Sequence, residues 1–151
     1  MSKPVLFCYD GSEGAQAALA AAIELIKPTD AVVLAVWMQT VVQLARAGSF
    51  VAALPNEGEL DQQEAAAARA VAEEGAATAR EGGYNATARI AEAHESVPRT
   101  IVEIAGEIDA GLIVCGQRGR GAVSSAVLGS VSHALAAHTQ RPVLIAPRHP
   151  S

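Results

Sequence analysis

The sequence predicts an α/β fold: a doubly wound, five-stranded parallel sheet with helices on both faces, in a single domain covering residues 1–151. Three observations carry that expectation. Short, continuous apolar runs alternate with segments of helical period in the order β-α-β-α-β-α-β-α-β, as right-handed crossovers between parallel strands require. The runs are unbroken rather than alternating, which is how strands buried on both faces read. Half of the residues are apolar but only 3% are aromatic, so Val, Leu, Ile and abundant Ala must fill the core.

The elements follow in order. Val5 to Tyr9 is the first apolar run, broken by Asp10-Gly11-Ser12. Ser12 is a good N-cap for a helix starting near Glu13, and Ala17, Leu19, Ala20, Ile23 and Ile26 continue it until Pro28. Ala31 to Trp37 reads as the second strand. Met38 to Gly58 lacks a sustained period and contains Gly48 and Pro55; a connection of about twenty residues suits a lid or binding segment, part of it a short helix. Glu59 to Arg80 is a long Ala-rich helix ended by Gly82-Gly83, with Asp61, Glu64, Arg69, Glu73 and Glu74 on a solvated face. Asn85 to Glu92 is the third strand. Pro98 occupies a first-turn position of the helix that runs to about Ile108, and Ala110 to Cys115 is the fourth strand. A glycine-punctuated connection, a helix from Ser130 to His138 and a final strand from Arg141 to Ala146 complete the chain.

The totals exclude several function classes. A formal net charge of −5 opposes non-specific binding to nucleic acid or to an anionic membrane, yet it suits a small anionic ligand if the site is locally positive. Cys8 and Cys115 both lie in apolar runs, as small core residues of a reducing compartment do. The apolar run after Met1-Ser2-Lys3-Pro4 is too short for a signal sequence, and no segment reaches the roughly 20 apolar residues of a membrane span. The expected location is the cytoplasm. His94, His133, His138 and His149 show no metal-binding spacing on one helix face.

Ligands of such sheets bind at the carboxyl ends of strands near the point where the strand order reverses. The connection after the fourth strand stands out there. From Gly116 to Ser130 it is more than twice the usual strand-to-helix length of about 2–6 residues. Glycines open it and close it at the helix junction, so several N–H groups can converge on one anion. Gly129-Ser130 stands at a helix start, where free N–H groups and the dipole favour phosphate; Ser130 and Ser132 can add hydroxyls. No Asp or Glu competes in that first turn, and Arg118 and Arg120 add positive charge. Arg118 can reach a phosphate or point to solvent, while Ser124 and Ser125 suit hydrogen bonds within the loop. There is no Gly-x-x-x-x-Gly-Lys-Ser/Thr, and Asp10-Gly11-Ser12-Glu13-Gly14 is not the dinucleotide fingerprint. Asp10, at a strand's carboxyl end, suits either a site role or a turn-capping one.

The spacing Gly116-x2-Gly119-x9-Gly129-Ser130, the opening strand into Asp10-Gly11-Ser12 and the closing Arg141-Pro142-Val143-Leu144-Ile145 resemble the universal stress proteins of the ATP-binding type over essentially the whole chain. The resemblance implies strand order 3-2-1-4-5, ATP with Mg as the ligand, and homodimers that pair through the last strand. It implies that Gly116 and Gly119 approach ribose and phosphates, and that Gly129, Ser130, Val131 and Ser132 bind phosphate. It places Asp10 by the ribose or the ATP-bound Mg, and gives the backbone of Val36 the adenine edge. Gln117 and Arg118 replace residues that are often Ser and His in relatives. No catalytic residue is assigned, so the expectation is a regulatory binding module of the stress response rather than an enzyme. The alternatives are a slow ATPase, an adenylyl-transferring enzyme of a related group, or a binder of another adenine nucleotide such as cAMP.

Overall fold

The computed structural model describes residues 2–46, 48, 57–117 and 128–147. The described elements, in chain order, are β1 (Val5–Cys8), α1 (Glu13–Leu25), β2 (Asp30–Trp37), α2 (Thr40–Arg46), α3 (Glu57–Glu81), β3 (Asn85–Glu92), α4 (Val97–Glu107), β4 (Leu112–Gly116), α5 (Ser130–His138) and β5 (Val143–Ala146). The strands form one all-parallel sheet in the order β3-β2-β1-β4-β5. The fold class and strand order expected from the sequence are therefore present.

Local signals start and stop these elements. Ser12 is the N-cap of α1, its hydroxyl oxygen accepting the Ala15 N–H at 3.2 Å. The chain leaves α1 at Ile26, which is already extended, and Tyr84 donates its hydroxyl to the carbonyls of Ala22 (3.2 Å) and Ile26 (3.0 Å). The Tyr84 ring also meets Phe7 edge-on at 5.5 Å, so one side chain fastens α1, the sheet and the end of α3 together.

The core has two layers. Ala15, Ala18, Leu19 and Ala22 of α1 and Ala76 and Ala79 of α3 pack on Val5, Phe7, Val33 and Val114 on one face of the sheet. Ile101, Ile104 and Ala105 of α4 and Leu135 of α5 pack on Leu6, Leu34, Ile113 and Cys115 on the other. Small residues let α3 ride close to the sheet: a Cβ on Gly75 would stand 2.8 Å from both the Tyr9 ring and Val33. The Ala-rich composition thus sets the layer spacing.

Boundaries differ from the sequence reading by one or two residues at several ends. β1 closes at Cys8, but the Tyr9 N–H still reaches the Leu34 carbonyl at 2.9 Å. α3 starts at Glu57, and α2 is a short helix within the aperiodic segment after β2, where one was expected; its two turns show too few apolar repeats for a period to fix its bounds. Most of the remaining stretch expected to form a lid, residues 47 and 49–56, lies outside the described residues. Among the described residues no helix is long and apolar enough to cross a membrane.

Candidate functional site

The strand order reverses between β1 and β4. After β1 the chain crosses to α1 on one face, and after β4 it leads to α5 on the other, so the carboxyl ends of β1, β4 and β2 border one crevice. The sequence-assigned residues Asp10, Val36, Gly116, Gly129, Ser130, Val131 and Ser132 all stand at strand ends or at the helix start around it. Arg118 and Gly119 lie outside the described residues, as do Ser124 and Ser125.

Asp10 turns the chain out of β1. Its Oδ1 accepts the Ser12 N–H at 3.0 Å and the Ser12 hydroxyl at 2.5 Å, and that hydroxyl oxygen caps α1. Gly11 supports the turn with φ of 77°, a region that glycine enters without cost. The carboxylate is exposed at the mouth of the crevice. The turn cap is thus formed by one carboxylate oxygen of Asp10, at a strand's carboxyl end.

Gly116 ends β4 against the first turn of α1. A Cβ there would lie 2.6 Å from the Gly14 carbonyl oxygen and 3.2 Å from the Ala15 nitrogen. The glycine requirement visible at this position is therefore the approach of two backbones, with Gly14 buried beneath the crevice. The next residue, Gln117, closes the stem of the long connection through its main chain. Its N–H donates to Ala146 O at 2.8 Å, while its carbonyl accepts the Gly129 N–H at 2.8 Å and the Ser132 hydroxyl at 2.8 Å.

That clasp fixes the start of α5. Gly129 is its N-cap in an extended conformation (φ −70°) with no side-chain cap, and the first turn holds no acidic residue. The leading N–H groups of the helix consequently retain their positive end without a competing carboxylate. Ser130 is exposed there, Val131 is half-buried against the α4/α5 core, and Ser132 is buried. The Ser132 hydroxyl is shared between the carbonyls of Gln117 and Gly129 (3.1 Å), so it builds the stem, and its backbone N–H is what it can offer a ligand.

Val36 contributes backbone. Polar groups on a strand alternate sides, and the Leu34 carbonyl faces β1 while the Trp37 carbonyl accepts the Ala93 N–H on the β3 side at 2.8 Å. The N–H and C=O of Val36 therefore face β1, at a level where β1 has already turned away at Asp10. A peptide edge beyond the end of the β1 pairing, here at a half-buried residue, can pair with the donor–acceptor edge of a planar heterocycle. Gly14, Ser12 and Gln117 escaped assignment from sequence as parts of the crevice. Gly14 and the Gln117 clasp contribute through main-chain atoms, which leave no side-chain signature.

A sequence profile of the universal stress protein family matches residues 1–147. The chain belongs to the universal stress protein family. No curated protein sequence matches it. Among solved structures, the hypothetical protein MJ0577 is 23% identical with a TM-score of 0.78, over 100% of this chain and 99% of that one. The universal stress protein UspA from Lactobacillus plantarum is 20% identical with a TM-score of 0.74, over 95% and 96% of the two chains. A universal stress protein from Archaeoglobus fulgidus in complex with dAMP is also 20% identical, with a TM-score of 0.66 over 95% and 97%. Other structural neighbours in the family were solved with cAMP and, from Arabidopsis thaliana, with AMP. At these identities the likeness to the solved structures establishes the fold.

Proposed function

We propose that this universal stress protein is a cytoplasmic regulatory module that binds ATP with Mg at the β1/β4 crevice, as a homodimer through β5, and does not turn the nucleotide over. The observation that carries the reading is the start of α5. It presents N–H groups with neither a side-chain cap nor an acidic residue in the first turn, across the crevice from the β1-facing peptide edge of Val36 at the end of β2. The first suits phosphate, the second suits adenine, and Asp10 lies between them along the strand ends. One exposed carboxylate beside phosphates matches the way Mg is held, with one or two carboxylates and the remaining sites filled by phosphate and water. Asp10 and the α5 N–H groups would hold that ion and its phosphates, and the ion would neutralise phosphate charge. Engagement of Asp10 Oδ1 by the Ser12 N–H and hydroxyl opposes its service as a general base.

Replacing Gly129 tests this directly. Its φ of −70° is open to any residue. Gly129→Asp would supply α5 with a side-chain cap worth roughly a few tenths of a kcal/mol over glycine while placing a negative charge where phosphate should sit. The expected result is an unchanged far-UV spectrum, a melting temperature that does not fall, and ATP affinity lowered by tenfold or more, read by Trp37 fluorescence. Trp37, the chain's one tryptophan, ends β2 next to Val36. Unchanged affinity would exclude α5 as the phosphate site. Saturable phosphate or pyrophosphate release from ATP, lost in Asp10→Asn, would replace the binding reading with an enzymatic one.

The neighbours solved with dAMP, AMP and cAMP favour a second reading, a monophosphate ligand. Parallel titrations separate the two: ATP stronger with Mg than without supports the first, and AMP or cAMP stronger than ATP supports the second.

A further inference from the structure

Cys8 ends β1 and Cys115 lies one residue before the end of β4. The register pairs Leu6 with Ile113 and Phe7 with Val114, so its next step sets Cys8 beside Cys115 on adjacent strands. Side chains in register on parallel strands point to the same face, and both cysteines join the same packed cluster beneath α4 and α5. Both are free thiols.

Strand spacing decides what such a pair can hold. Adjacent strands lie about 4.8 Å apart, and parallel Cα–Cβ directions carry that spacing out to the Cβ atoms. A disulfide needs Cβ atoms about 3.5–4.5 Å apart, so direct oxidation would pull the strands together. Two metal–sulfur bonds of about 2.3 Å end to end span about 4.6 Å, so an ion between two thiolates fits the sheet as it stands. Among the described residues no group of three or more His, Cys, Asp or Glu gathers anywhere. The described residues therefore assemble no tetrahedral zinc set, whereas a soft ion content with two thiolates suits these donors.

We propose that Cys8 and Cys115 form a two-coordinate site for Cu(I), independent of the nucleotide reading. On binding, each thiol releases its proton to solvent and two Cu–S bonds form. Copper enters and remains as Cu(I), and no sulfur is oxidised. The resulting unit carries one negative charge, and Val131 in the first turn of α5 packs on the same cluster, bringing the positive end of that helix to its side. The bound ion would join β1 to β4 next to the residues that border the crevice.

Anaerobic titration with Cu(I), in competition with a chromogenic Cu(I) chelator, tests the site. The expected result is one Cu(I) retained per chain with thiolate-to-copper absorption in the ultraviolet and a raised melting temperature. Cys8→Ala and Cys115→Ala should each surrender the metal to the chelator at concentrations the unmodified chain withstands. X-ray absorption on the unmodified complex, which does not depend on how the variants fold, should give two sulfur ligands and no nitrogen or oxygen. Copper retained by the double Ala variant, no retention by the unmodified chain, or a shell of other donors would overturn the proposal. So would conversion of both thiols to a disulfide by hydrogen peroxide in a chain that holds no copper.

Discussion

Two glycines with opposite surroundings show what a single Cβ does in this molecule. At Gly116 the added atom would meet the Gly14 carbonyl oxygen at 2.6 Å, and neither partner is a side chain that can swing away. Gly116→Ala should therefore cost about 1–3 kcal/mol through displacement of α1 from the end of β4. Gly106 sits in α4 with nothing within 4 Å of the added atom, so Gly106→Ala should gain about 0.5–1 kcal/mol from reduced unfolded-state freedom. Urea denaturation of both variants checks the pair; equal effects would mean that the Gly14 contact does not constrain the fold. The sequence marks Gly116 for a close approach, and the structure adds what approaches it within the chain. A contact between two main chains, like the clasp made by Gln117 or the peptide edge of Val36, is invisible to residue type.

At the scale of elements, α4 is held at both ends by side chains. Ser96 caps its start by accepting the Arg99 N–H at 3.2 Å, and Pro98 fits the first turn. At its end Asp109 adopts φ of 51°, a left-handed position that usually falls to glycine or asparagine, and its N–H reaches the Gly106 carbonyl at 3.2 Å. Asp109 Oδ1 accepts from Arg141 at 3.0 Å and from Lys3 at 3.2 Å, tying the end of α4 to the residues before β5 and β1. Hydrogen bonds from Arg141 and then Lys3 hold its carboxyl below the usual carboxylate range. The native chain thus binds this proton less readily than the unfolded one. The stabilisation is present at neutral pH and disappears as pH falls from the ordinary carboxylate range through the depressed value. Asp109→Asn, which tolerates the same φ, should flatten that part of the acid limb in a melting-temperature series without altering the far-UV spectrum. An unchanged acid limb would show that the clip carries no linkage. Elements of this kind were legible where a cap, a proline or a long apolar period announced them, as at Ser12 and Pro28. The bounds of α2 were not, since seven residues give too few repeats to place the short helix expected there, and the tie from Asp109 to Lys3 and Arg141 spans separations no local pattern records.

The whole sheet has two edges, and they are not alike. β3 bears Arg89, paired with Glu107 of α4, together with Asn85, Thr87 and Glu92, so polar side chains guard it against another strand. β5 is Val-Leu-Ile-Ala, with Val143, Leu144 and Ile145 only half-buried and no charge on the strand. The carbonyls of Pro142 and Ala146 turn inward to Ile113 and Gln117, so by alternation the peptide groups of Val143 and Ile145 face out. An apolar strand with an unguarded peptide edge favours pairing with its own copy, which is the physical basis for the homodimer proposed above. Val143→Lys places a charge at that edge without touching Asp10, Val36 or the start of α5. The expected outcome is a halved mass in sedimentation velocity with the far-UV spectrum and the ATP titration followed by Trp37 both retained. If the unmodified chain sediments as a dimer and Val143→Lys leaves its mass unchanged, the copies pair through another surface. Loss of ATP affinity together with the dimer would instead join the two proposals, because the β5 end is hydrogen-bonded through Ala146 to Gln117, and Gln117 holds the α5 start in place.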